Sequence, residues 1–100
     1  MKLNDRVYIE ESKIHGKGLF ARRDIKKGEF IGTFKGPEAK RDGSHVLWIY
    51  DGDEYEGRRG KNALRYLNHS HHANAEFEHF DLYALKDISM NSEITIDYEG

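Results

Sequence analysis

Three short stretches of this sequence gather groups that can hold a ligand or take part in group transfer. The first is His15-Gly16-Lys17-Gly18-Leu19-Phe20. Two glycines two positions apart let backbone approach a ligand with no Cβ in the way. The stretch is too short for a phosphate-binding loop and lacks the Gly-Lys-Ser/Thr ending, and an ordinary glycine turn reads the same way. The second is Arg65-Tyr66-Leu67-Asn68-His69-Ser70. It joins a guanidinium, an amide, an imidazole and a hydroxyl around two apolar anchors. A polar corner that satisfies its own backbone reads equally well, as Asn and Ser side chains often do this. The third is Glu93-Ile94-Thr95-Ile96-Asp97-Tyr98, a strand pattern with a phenol at its end. If Tyr98 serves a site, that site lies at the end of the chain.

A histidine-rich tract adds His69, His71, His72 and His79. Neutral imidazole is a common metal ligand. However, His69 and His71 share a face only on a strand, and no cysteine joins them. The tract reads as surface histidines, and no metal is assigned.

The elements that must position these groups are mostly strands. Arg6–Ile9, Glu29–Phe34, His45–Tyr50, Ala75–Phe80, Leu82–Leu85 and Ile94–Tyr98 are apolar, β-branched or alternating segments bounded by turn residues. Gly16–Gly18 reads as a turn, followed by a short extended piece at Leu19–Ala21, and Asp51-Gly52-Asp53 closes another segment. Asn62–Leu67 alone suggests helix, and only a turn or two. Ala21–Ile31 echoes Ala84–Ile94: both read strand, Asp-Ile, polar turn, strand, with an extra turn residue in one copy. Two copies do not make a solenoid, and two turns of like chemistry would look the same.

The chain has 100 residues and no cysteine. It reads as one domain over residues 1–100, with no disulfide framework, Cys-ligated zinc or thiol nucleophile. No apolar run reaches the roughly 18 residues of a membrane span, and no secretory leader is evident, so a soluble intracellular protein is expected. The net charge of −2 argues against a protein built to hold nucleic acid. Charge is uneven. Residues 1–27 carry eight basic and four acidic side chains, and residues 66–100 carry one basic and seven acidic. That asymmetry is either two solvated faces or an acidic surface that steers a basic partner.

Taken together, the motifs resemble the SET domain of protein-lysine methyltransferases. Gly16-Lys17-Gly18-Leu19-Phe20-Ala21 resembles the family's opening glycine turn. Arg65-Tyr66-Leu67-Asn68-His69-Ser70 resembles its Arg-Phe-Ile/Leu-Asn-His-Ser motif. Glu93–Tyr98 resembles its Glu-Leu-Thr-x-Asp-Tyr ending. All three stand in the family's order over nearly the whole chain. The short length is most similar to minimal bacterial and viral members.

The resemblance implies a mostly β, β-clip-like fold: several small sheets, one or two short helical turns and a C-terminal pseudoknot that brings Tyr98 beside Asn68 and His69. It implies S-adenosylmethionine as cofactor, against His15, Gly16, Lys17, Asn68 and His69. The acceptor would be a lysine on a basic, histone-like protein. The lysine would enter a channel that includes Phe34, Phe77 and Ile96, with Tyr98 as an oriented phenol at the transferring methyl. No membrane and no direct nucleic-acid partner is implied. The compartment would be the cytoplasm in a bacterium, or the nucleus in a eukaryotic or viral setting. The same fold could also serve as a non-catalytic module that binds a protein partner.

Departures from the family pattern carry expectations of their own. His71-His72-Ala73-Asn74 stands where members usually carry Cys-x-Pro-Asn. Many members close the channel with a cysteine-rich zinc segment after the tyrosine. With no cysteine here, a second subunit, as in a homodimer, is one way to close it. The variable insert is reduced to about Pro37–Ser44. Phe34 and Phe77 stand where some members carry tyrosine, and Ile96 where Phe or Tyr is common. The room left by Ile96 predicts transfer of more than one methyl.

Overall fold

The computed structural model describes residues 2–43, 45–51 and 53–97. Its elements are short strands in three small sheets, with helix confined to α1 (Leu3–Arg6) and a 3-10 turn at Ala63–Tyr66. The mostly β architecture is the one expected. Tyr98, Ser44 and Gly52, each part of a sequence reading above, lie outside the described residues.

The first sheet runs in the order β1 (Val7–Glu11), β2 (Lys17–Ala21), β10 (Glu93–Ile96), β7 (Asn68–His69). β1 and β2 form an antiparallel hairpin from Val7↔Ala21 to Glu11↔Lys17. β10 pairs antiparallel with β2 through Glu93↔Phe20 and Ile94↔Leu19. It pairs parallel with β7 through Thr95↔Asn68 and Ile96↔His69. The last strand therefore enters the interior of the sheet beside the Asn-His-Ser segment. Burial explains why it holds there: Leu19 and Ile94 are wholly inaccessible, and Thr95 and Ile96 are buried with them. Side chains of that size stabilise by roughly 1.5–3 kcal/mol each when removed from water.

A second sheet orders β3 (Phe30–Thr33), β9 (Asp81–Ala84) and β8 (Ala75–Glu78), and a third orders β4 (Glu38–Ala39), β6 (Glu54–Arg59) and β5 (Val46–Asp51). Ile31, Leu82, Ile25 and Leu64 join Val7, Leu19 and Ile94 in one buried cluster between the sheets. The third sheet is more solvated, and its hairpin carries exposed Tyr50 and Tyr55.

The internal echo is a structural one. Ile25 and Ile88 pair with each other, Ile25 N donating to Ile88 O at 2.8 Å and Ile88 N to Ile25 O at 2.7 Å. Each aspartate crosses to the other copy: Asp24 accepts from Met90 N and Asp87 accepts from Lys27 N, both at 2.9 Å. Gly28 N donates to Ala84 O and Asn91 N to Ala21 O. Ala84 N returns to Glu29 O and Ala21 N to Ser92 O. Every bond has a counterpart in the other copy, a local two-fold arrangement. Gly28 and Asn91 occupy the same position with φ of 84° and 70°. The two turns are thus equal in length, and the extra residue expected in one copy is not there.

Several boundaries differ from the sequence reading. Arg6 ends a helix, and the strand begins at Val7. The strand expected over Ala75–Phe80 stops at Glu78, because His79 turns with φ of 54°. Lys17 and Gly18 belong to β2 rather than to a turn. The helical reading of Asn62–Leu67 is one 3-10 turn, Ala63–Tyr66. β6 was not expected, since Glu54-Tyr55-Glu56-Gly57-Arg58-Arg59 has no apolar alternation. It is nonetheless the middle strand of its sheet, paired on both sides, with buried Gly57 against the Trp48 ring and the Arg58 guanidinium 4.1 Å from the Phe80 centroid.

Candidate active site

Ser12 organises the loop between β1 and β2. Its backbone N donates to Gly16 O at 2.8 Å, and its Oγ accepts from Ile14 N at 2.9 Å. The same hydroxyl donates to the Glu93 carboxylate at 2.7 and 2.8 Å, tying the loop to β10. Asn68 completes the junction. Its Nδ2 donates to Glu93 Oε2 at 2.9 Å, to His15 O at 3.1 Å and to Lys17 O at 3.2 Å. With Nδ2 committed to this junction, Oδ1 is the atom Asn68 can offer a ligand N–H.

The two glycines of the first motif serve different ends. Gly16 takes φ of 47°, and a Cβ there would meet nothing within 4 Å, so it keeps the loop open. Gly18 is buried. A Cβ there would collide with the Glu93 carboxylate, whose Cδ would lie at 2.9 Å. The expectation that both glycines admit a ligand is corrected: the space beside Gly18 belongs to Glu93.

His15, Gly16, Lys17, Asn68 and His69 line one cleft of about 680 Å³. These are the five residues that the resemblance assigns to the cofactor. Arg65 and His45 share the cleft. Arg65 is tied down by bonds from Nη1 to Lys61 O and Asn62 O at 3.0 and 2.8 Å, and its guanidinium lies 4.5 Å from the Tyr66 ring centroid. The charged side chains among the described lining residues are Lys17 and Arg65, with no carboxylate.

Phe34, Phe77 and Ile96, the three expected channel residues, converge on a small void of about 30 Å³. Phe34 meets Phe77 edge-on, with ring centroids 6.0 Å apart and planes at 86°. This neck shares His45, Val46, Arg65 and Leu67 with the cleft. It shares Val46, Leu47, Phe77 and Ile96 with a groove of about 640 Å³. Cleft, neck and groove therefore adjoin through shared lining residues, and the neck's wall is apolar apart from His45 and Arg65. The groove carries two carboxylates, Glu76 and Asp97, and no Lys or Arg among its described lining residues.

The sequence reading missed Ser12, Glu93 and Asn74 as a supporting frame. Asn74 Nδ2 donates to Glu93 O at 2.8 Å, and its Oδ1 accepts from Thr95 N at 2.9 Å, so one side chain stands in for a strand along β10. The signal was present: Asn74 is the residue that keeps its family identity within His71-His72-Ala73-Asn74.

Comparison with known proteins is consistent over nearly all of the chain. The SET domain family model matches residues 16–99. Human histone-lysine N-methyltransferase 2B is 28% identical over 93% of this chain, which spans 4% of that protein's length. Histone-lysine N-methyltransferase MEDEA of Arabidopsis thaliana is 27% identical over 98% of this chain and 17% of its own length. The chain thus corresponds to a small part of each of these curated relatives. In structure, the methyltransferase domain of human SETMAR superposes with a TM-score of 0.80 at 23% identity, over 94% of this chain and 44% of that one. The methyltransferase domain of human PR domain-containing protein 2 gives 0.72 at 21% identity, over 95% and 78%. By family match and by fold, the chain belongs to the SET domain family.

Proposed function

We propose that this chain transfers methyl groups from S-adenosylmethionine to the side-chain amine of a lysine on a basic protein. The observation that carries the reading is the neck lined by Phe34, Phe77 and Ile96, which lies between a cleft bearing Lys17 and Arg65 and a groove bearing Glu76 and Asp97. The relatives described above, histone-lysine N-methyltransferases, support lysine as the acceptor.

The cleft residues fit the cofactor. Lys17 and Arg65 suit its carboxylate, Asn68 Oδ1 suits its ammonium, and the open side of Gly16 leaves backbone free to approach. When bound, it supplies a methyl group on a sulfonium. The neck would hold the lysine stem along one line, a positioning effect. Its aromatic and aliphatic side chains, with the Arg65 guanidinium beside them, disfavour an ammonium, which helps lysine, with a reference pKa of about 10.4, to present a neutral amine. Glu76 and Asp97 attract the cationic side chains that flank such a lysine. Tyr98 is assigned as an oriented phenol oxygen. It need not act as a base, since a phenol's reference pKa is about 10.

Three measurements test this. Calorimetric titration with S-adenosylmethionine should give micromolar binding, weakened on the order of tenfold, about 1.4 kcal/mol, by Asn68→Ala. Mass spectrometry on lysine-rich proteins should show addition of more than one methyl. In Tyr98→Phe, turnover should fall on the order of 100-fold while cofactor binding stays. Equal turnover in that variant removes Tyr98 from its role, and only monomethyl product at long times rejects the reading of Ile96. Cofactor binding without transfer to any lysine would favour a binding module on the same fold.

A further inference from the structure

His69 and His71 flank a single carboxylate. His69 Nδ1 lies 3.7 Å from Asp97 Oδ1, and His71 Nδ1 lies 3.8 Å from Asp97 Oδ2. The two imidazoles meet edge-on, with centroids 4.7 Å apart and planes at 88°. One donor atom from each of the three side chains lies within 4.8 Å of the other two. The sheet brings this about. His69 ends β7, His71 follows two residues later, and the parallel pair Ile96↔His69 delivers Asp97 beside them. Ser70 N extends the pairing by donating to Ile96 O at 3.0 Å.

We propose that His69, His71 and Asp97 form a binding site for a divalent transition-metal ion of the zinc type. Zinc holds imidazole nitrogen and carboxylate oxygen at about 2.0–2.2 Å, which in a tetrahedron puts donors about 3.4 Å apart. The two nitrogen–oxygen separations, each to a different oxygen of Asp97, are within a few tenths of an ångström of that value, and a set of one donor per residue closes within 4.8 Å, so a small side-chain adjustment completes the coordination. Two imidazoles among three donors select zinc, copper or nickel over magnesium or calcium, which prefer oxygen. Three protein donors leave a fourth position for water or a ligand. His71 is well exposed, with 69% of its side chain accessible, so an ion can enter from solvent. Once bound, it would tie the segment after β7 to the end of β10, across the border between cleft and groove. His69 lines the first, while His71 and Asp97 line the second. The site does not depend on the methyl-transfer reading, and its test does not use that activity.

The test is calorimetric titration of the full chain, purified without a histidine tag, with zinc chloride. One ion per chain is expected. His71→Ala and Asp97→Asn should each weaken binding at least tenfold. His72→Ala, one residue away and outside the cluster, should bind as the parent does. Circular dichroism of each variant confirms that it is folded. No saturable binding at one ion per chain overturns the proposal. So does equal affinity in the parent and His71→Ala, or a loss in His72→Ala as large as in His71→Ala, which would indicate diffuse histidine binding.

Discussion

Glu93 is the side chain on which the cleft hangs. Its carboxylate receives Ser12 from the β1–β2 loop and Asn68 from β7, so three segments meet on one group. That carboxylate needs the volume a side chain at position 18 would take. Gly18→Ala should therefore cost about 1–3 kcal/mol through overpacking. The cost should be coupled to Glu93, because the added methyl meets that residue first. Urea denaturation of Gly18→Ala, Glu93→Ala and the double variant should reveal a coupling of about 1 kcal/mol. Additive losses would mean that the glycine serves something else. Both glycines of the motif were visible in the sequence. Which of them borders the cleft was not, because the answer depends on a residue 75 positions further along the chain.

At the scale of elements, the paired turns around Ile25 and Ile88 hold the first sheet to the second. They do so with backbone bonds and two aspartates, so their stability rests on the left-handed residues that close them. Gly28 adopts that conformation without cost. Asn91 adopts it as one of the few other residues that do so readily, and its Oδ1 accepts from Tyr8 Oη at 2.9 Å. Alanine at either position should cost about 1–2 kcal/mol, with Gly28→Ala and Asn91→Ala losing similar amounts. Asn91→Gly should stay within about 0.5 kcal/mol of the parent, the lost side-chain bond offset by the easier backbone. Thermal denaturation of the three variants checks this, and a large difference between the two alanine variants would break the equivalence of the turns. The echo was legible as like chemistry at like positions. That the two copies bond to each other was not, since strand pairing across 63 residues leaves no local pattern.

For the whole molecule, the charge asymmetry of the sequence becomes a polarity of the site. Basic side chains from the first motif and from Arg65 line the cleft, and acidic ones from the last third line the groove. The proposed activity then predicts a salt effect. KM for a lysine-rich substrate should rise between 50 and 300 mM salt, as screening shortens the reach of Glu76 and Asp97. Glu76→Gln should raise KM roughly threefold at low salt, with kcat little changed and much of the difference gone at high salt. A KM indifferent to both salt and Glu76 would place the basic partner elsewhere.

Motif identity and order, the many short strands, the absence of cysteine and the uneven charge are properties of residue types and spacing. The short strands indicated a mostly β fold, and the resemblance carried by the motifs nominated eight site residues, five of which border one cleft and three one neck. Tertiary structure decided the rest. It set β6 at the centre of a sheet, paired on both sides and packed on Trp48 and Phe80, and gave the space beside Gly18 to Glu93. It made Asn74 a substitute strand for β10 and brought Asp97 to His69 and His71. Each of these depends on contacts between residues far apart in the chain. Local propensity and periodicity report which face a residue prefers, but they do not identify the partner that face will meet.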